Sequence, residues 1–238
     1  MGGGFEGYTA TFRGNVSNNG AGAGTYAMVK QGKMTISVNY NYDYNNSPRS
    51  YSDNYRENYE PGARDEKFLE SQSSSKSKGN FQHGNLEASY EIDTLRLLTA
   101  AFGMYGGSNE SDNNGNTVMY RTNHEDVAYR YRTDSRNKNS WYSINGNIDY
   151  QRTSRKNKQR MLTLSYKINT QPQTDNSRNV YLDIFPDEQK EELAERLRLE
   201  NYHSDGKTNT MEQTFQVDYT TPIGKLHTIE TGAKYIFR

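Results

Sequence analysis

Residues 33–44, KMTISVNYNYDY, alternate without a break from Met34 to Tyr44. Met34, Ile36, Val38, Tyr40, Tyr42 and Tyr44 are apolar or aromatic, and Thr35, Ser37, Asn39, Asn41 and Asp43 between them are polar. A period of two over this length is a β-strand with two unlike faces. One face needs an apolar medium and the other needs water or polar partners. Few folds supply both along so long a strand.

The pattern recurs. Tyr8, Ala10, Phe12 and Val16 alternate with Thr9, Thr11, Arg13 and Asn15 in 5–17. Leu86, Ala88, Tyr90 and Ile92 oppose Glu87, Ser89 and Glu91 in 80–92, and Tyr142, Ile144, Ile148 and Tyr150 oppose Ser143, Asn145, Asn147 and Asp149 in 139–152. Residues 160–170, 209–221 and 226–237 repeat the arrangement around Leu164, Phe215 and Tyr235. Residues 94–106, TLRLLTAAFGMYG, are apolar on both faces and predict a strand without assigning them. A weaker strand pattern covers 22–31. The total is about nine strands.

Short joins at 31–33, around Asp93–Thr94, at 153–159 and at 222–225 alternate with long polar stretches at 46–79, 107–138 and 171–208. Only NNGAGAG at 18–24 is short where a long join is due. Short turns at one end and long loops at the other describe an up-and-down antiparallel meander of the outer-membrane type. The chain is only 32% hydrophobic, with a mean hydropathy of −1.11. That is poor material for the shared core of a two-layer sandwich. It suits a barrel with lipid outside and a wet or plugged lumen inside. Wholesale disorder is a poor fit, because 20 Tyr and 8 Phe accompany zero net charge. The fold expected is therefore all-β, an antiparallel up-and-down transmembrane β-barrel domain over 1–238, partial at about nine strands. Its long outer loops would be 46–79, 107–138 and 171–208. Tyr8, Tyr42, Tyr44, Tyr105, Tyr142 and Tyr166 would form interfacial girdles. The polar face, with Thr35, Asn39, Asp43, Glu87 and Glu91 from the first half and Asn147, Asp149, Lys167, Glu212 and Asp218 from the second, would line the lumen. A soluble all-β protein with a polar-out sheet is the competing architecture.

There is no cysteine, which excludes disulfide scaffolds and thiolate metal sites. Zero net charge argues against a nucleic-acid partner. No apolar run approaches a membrane helix. MGGGFEGYTA carries neither a basic nor an apolar leader region, and Glu6 breaks the myristoylation pattern.

The segments GFEGYTATFRGNVSNNGAGAGTYAMVKQGKMTISVNYNYDYNN, GNLEASYEIDTLRLLTAAFGMYG, INGNIDYQRTSRKNKQRMLTLSYKI and QVDYTTPIGKLHTIETGAKYIFR span essentially the whole chain. In style they resemble the barrels of TonB-dependent receptor-like outer-membrane proteins, especially the Bacteroidetes type. The DYTTP…KLHTIETGAKY pair is the most specific. The resemblance implies energy-coupled nutrient uptake across the bacterial outer membrane, through a plugged barrel of about 22 strands that contacts TonB. Against that pattern this chain has no plug and no TonB-contacting segment, so it is expected to be the first part of a barrel and inactive alone. Its partners would be outer-membrane lipid, a plug domain and further strands. The alternative is a structural or adhesive surface protein without transport activity.

Among possible sites, Tyr51, Tyr55 and Tyr59 in YSDNYRENYE are candidates for stacking on a sugar or cyclic ligand, or for packing on neighbouring loops. Glu110-Ser-Asp112-Asn-Asn114-Gly115 imitates half of a calcium loop but has Arg121 where the closing carboxylate belongs. PDEQKEELAERLRLE at 186–200 predicts a short surface helix or a lid. Arg152, Arg155, Lys156, Lys158 and Arg160 form a basic turn suited to water or anionic headgroups. GAGAG at 20–24 reads as a hairpin loop. His83, His124, His203 and His227 are scattered, and neither HExxH nor GxSxG occurs. No cofactor, metal or catalytic residue is expected.

Overall fold

The computed structural model describes residues 6–238. The leader and acylation readings, and Phe5 of the first predicted strand, involve residues 1–5 and lie outside the described residues. The ten strands are β1 (Gly7–Ser17), β2 (Gly20–Gln31), β3 (Met34–Asn46), β4 (Ser50–Glu57), β5 (Phe68–Asp93), β6 (Arg96–Tyr120), β7 (Val127–Thr153), β8 (Met161–Phe185), β9 (Tyr202–Ile223) and β10 (His227–Phe237). A helix, α1 (Lys190–Leu197), follows one 3-10 turn between β8 and β9.

All pairings are antiparallel, in one sheet of order β1-β2-β3-β5-β6-β7-β8-β9-β10. β4 also pairs with β5. β3 covers the part of β5 near the short turns, as far as Lys78, and β4 covers it from Ser75 outward. The break falls at Ser47-Pro48-Arg49, where Pro48 has no N–H to give the ladder. β4 is thus β3 resumed, and nine strands cross the sheet, as the alternation indicates.

The stretches 46–79, 107–138 and 171–208 are not long loops. β5, β6, β7 and β8 run on through them as paired strands, with Ser75 opposite Asn113 and Asn113 opposite Ser135, and with register shifts at Met119/Tyr120 and Arg130/Arg132 near the outer end. Backbone pairing satisfies these N–H and C=O groups whatever the side chains. With water on both faces no alternation is needed, so the sequence shows none. The joins at this end shrink to 58–67, 121–126 and 186–201. GAGAG is likewise strand rather than loop, because the first turn is only Asn18-Asn19, with Ser17 opposite Gly20. A Cβ at Gly22 would lie 2.4 Å from Asn15 Oδ1 and 2.5 Å from Asp43 Oδ1. The glycines let the polar side chains of β1 and β3 close over β2.

Register aligns the apolar positions across the sheet. Ala27, Val38, Leu86, Phe102, Gly146 and Ile168 form one row. In 94–106 the pairing puts Leu98, Ala100, Phe102 and Met104 on this face. From Met34 to Tyr44 the apolar belt covers ~33 Å of strand at 3.3 Å per residue. At a tilt of ~40° that is about the 25 Å height of a lipid-facing band. Tyr90 and Tyr150 lie along its lower edge, and Tyr42 and Tyr142 along its upper edge. Just above, Lys78, Glu110 and Lys138 share a row, and the face turns charged. Tyr8 and Tyr166 fall in one row inside the belt.

Candidate functional site

The opposite face is polar at every level of the belt. Thr35, Asn39, Asp43, Glu87, Glu91, Asn147, Asp149, Lys167, Glu212 and Asp218 all fall on it by register. A row of amides crosses it, interrupted by one glycine: Asn39, Asn85, Gly103, Asn145 and Asn169 are successive partners. Asn39 Oδ1 accepts the backbone N–H of Asn85 at 3.0 Å. Ser143 and Thr214, the two buried polar residues among those described, are on this face as well. The described residues hold no group of three His, Asp or Glu placed to bind a metal.

One level below the upper rim this face carries an aromatic cluster. Phe81 and Trp141 flank Gly107 in one row, with ring centroids 6.2 Å apart. Tyr105 meets Trp141 edge to face at 6.0 Å. His83 lies 5.9 Å from Phe81 and shares a 3.1 Å hydrogen bond between its Nε2 and the Asn41 amide. Its Nδ1 is buried without a partner. Phe81, Tyr105 and Trp141 are 40–47% exposed, so their rings remain available for stacking. Tyr105 is therefore not a girdle residue: it pairs with His83 and Ser143 on the polar face. Parity held the clue for two of them, since the aromatics at 81 and 141 break the rule that the polar set of each strand is polar, while Tyr105 lies in the stretch whose faces the sequence leaves unassigned.

The far end of this face is capped. α1 begins after Pro186 with Asp187, Glu188, Glu191 and Glu192, which suit a helix N-terminus. It ends at Arg198 in the left-handed conformation, with Leu199 N–H donating to Ala194 C=O at 2.8 Å. Leu193 and Leu197, one turn apart, pack on a cluster of Leu69, Met119 and Tyr129. Those three are successive partners on the polar face. Leu193 and Met119 are each only 2% exposed. Arg196 grips Glu66 through its two terminal guanidinium nitrogens, at 2.8 and 3.0 Å, and lies 5.6 Å over the Tyr129 ring. The predicted surface helix is thus the centre of a small core that ties the β8–β9 join to the start of β5. Beside it, Asp65 accepts hydrogen bonds from the Thr122 hydroxyl and N–H. The hydroxyl bond above all holds the Asp65 carboxyl below its ordinary range.

Tyr51 and Tyr55 stand on β4 and Tyr59 in the join after it. Tyr55 stacks on Phe68 at 6.2 Å, while Tyr51 and Tyr59 are 78% and 90% exposed. The three do not converge on one another. The half calcium motif is straight strand, with Glu110 and Asp112 both paired to Arg136. The histidines lie apart: His124 stacks on Tyr120 at 4.4 Å, His203 pairs with Asp205 at 2.8 Å, and His227 opens β10 at the opposite end.

Residues 153–238, which hold the turn before β8 and all of β8, β9 and β10, match the model of the outer membrane protein beta-barrel family. No curated protein matches the chain. Together with the unlike faces of the sheet, the match supports an outer-membrane location and a barrel architecture, of which the chain forms an open, up-and-down sheet.

Proposed function

We propose that the chain is part of an outer-membrane TonB-dependent receptor, a transporter for nutrient uptake, and is inactive alone. The observation that carries this reading is the polar face itself. It runs from the short turns to a helical cap without an apolar layer that a second sheet could cover. Side chains such as Asn39, Asp149 and Glu212 hydrate a lumen and hydrogen-bond a plug domain. They do not perform catalysis, and no cofactor is needed. The Phe81–Trp141 cluster offers stacking surface among amides near the outer mouth. Further strands would pair with the edges that β1 and β10 present.

The other reading is an adhesive or structural surface protein. It draws on the length of the outer hairpins, which carry β5 ~40 Å from Asn80 to Phe68 at 3.3 Å per residue. The DNA flanking the reading frame separates the two. Transport expects a plug-type sequence upstream and more alternating strands downstream. Unrelated flanks would overturn transport and leave the surface protein.

A further inference from the structure

Four arginines meet at the short-turn end of the apolar face. Arg96 and Arg152 are opposite each other across β6 and β7, and Arg152 is opposite Leu162 of β8. Leu162 in turn faces Tyr219 of β9. Arg155 and Arg160 come from the turn between β7 and β8. These residues, with Asp93 and Leu95, surround an open cavity of about 550 Å³. The row Tyr150, Leu164 and Val217, the lower edge of the apolar belt, lies one step above.

The charges do not cancel. Asp93 is the only acid in the lining, and it is taken by Arg96, which it meets at 2.7 Å. Arg152, Arg155 and Arg160 have no acidic partner among the described ion pairs, and all three are exposed. Arg160 donates instead to the Thr221 hydroxyl at 3.1 Å, which draws its guanidinium toward the β9 side of the cavity. A surplus of three guanidinium groups thus rims a hollow whose floor is Leu162 and Tyr219. Guanidinium binds phosphate oxygens through a planar fork, and an apolar floor accepts the first carbons of an acyl or glycerol group.

We infer that this hollow binds the phosphate of an anionic phospholipid in the membrane leaflet at the short-turn end, with the lipid's apolar part against Leu162 and Tyr219. The inference rests on the membrane reading of the apolar belt, because that reading puts the hollow at headgroup depth. It does not depend on a plug or on transport. Each cation at a membrane surface contributes about 1 kcal/mol, roughly fivefold in affinity. The site would therefore prefer an anionic over a zwitterionic headgroup by well over tenfold, less at high salt.

The test folds the full 238-residue chain in detergent and titrates it with phosphatidylglycerol and with phosphatidylcholine, reading bound lipid by native mass spectrometry. The same chain is inserted into phosphatidylcholine vesicles and treated with protease. Two triple variants accompany it. One is Arg152→Gln, Arg155→Gln, Arg160→Gln. The other removes the same charge far from the hollow: Arg64→Gln, Arg178→Gln, Lys190→Gln. The expected result is a phosphatidylglycerol preference that falls at least about tenfold in the first variant and persists in the second. An unchanged preference in the first, or an equal fall in both, would overturn the site. Competition by inorganic phosphate at equal strength would assign the hollow to the free ion and overturn the lipid. Vesicle-bound belt strands left open to protease would overturn the membrane reading, and the lipid site with it; protected strands without preference would overturn the site alone.

Discussion

At the scale of single residues, what decides is the face. Most assignments follow from parity: Val38 and Leu86 read as apolar-face residues in the sequence and stand opposite each other in the structure. Tyr105 shows where this fails. Aromatic residues suit both a membrane rim and a lumenal stack, so chemistry alone cannot place them. In 94–106 both faces are apolar, and only the pairing with β5 settles the matter. The glycines beside Tyr105 carry information of the same kind. A Cβ at Gly107 would lie 2.1 Å from the Asn80 carbonyl oxygen, which is backbone and cannot swing aside. At Gly115, on the same face of β6, the nearest atom would be 3.7 Å away. Gly107→Ala should cost about 1–3 kcal/mol through forced backbone shifts, whereas Gly115→Ala should stay within ~0.5 kcal/mol. Denaturant melts of the detergent-folded variants check this, and equal effects at the two sites would refute the close approach.

At the scale of elements, the helix was legible and its role was not. Pro186, the acidic first turns and the Leu193–Leu197 spacing announce α1. Its partners Met119 and Tyr129 lie in a stretch too polar to suggest a core, because the cluster is small and its neighbours on both sides face water. Leu193→Ala removes a side chain buried among Leu69, Met119 and Tyr129. Substitutions of this type cost about 2–5 kcal/mol. The core touches only the outer end of the sheet, so the loss should be local. Limited proteolysis should cut 186–201 much faster in the variant while the belt strands keep their resistance. A second contact between joins makes this end sensitive to acid. The Asp65 carboxyl is held below its ordinary value of 3.8 by Thr122. A lowered folded-state pKa means that the contact is at full strength above the ordinary value and is lost as pH falls through the lowered one. Cutting within 58–67 and 121–126 should therefore rise on acidification below about pH 3.8. Asp65→Asn should cut readily at neutral pH and respond less to acid; an unchanged acid response would exclude Asp65 as its source.

At the scale of the whole molecule, two surfaces are unfinished. The outer edges of β1 and β10 have no strand beside them in this sheet, and unpaired edges recruit other chains. The apolar belt leaves Ile36, Leu86, Phe102 and Ile148 between 37% and 52% exposed. Soluble sheets rarely keep so large an apolar patch in water without covering it. Lipid is the cover that also explains the aromatic edges and the charged row above them. The decisive comparison is between adjacent residues of β3. Val38 is in the central row of the belt, and Ser37 points to the polar face opposite Glu87. Val38→Arg puts a guanidinium at the bilayer midplane and should cost about 2–4 kcal/mol in lipid. Ser37→Arg puts the same group beside Glu87 on the wet face and should be close to neutral. Reversible unfolding from phosphatidylcholine vesicles measures both. Were the two variants alike, with each close to wild type, the apolar face would be wet too, and the belt would need some cover other than lipid.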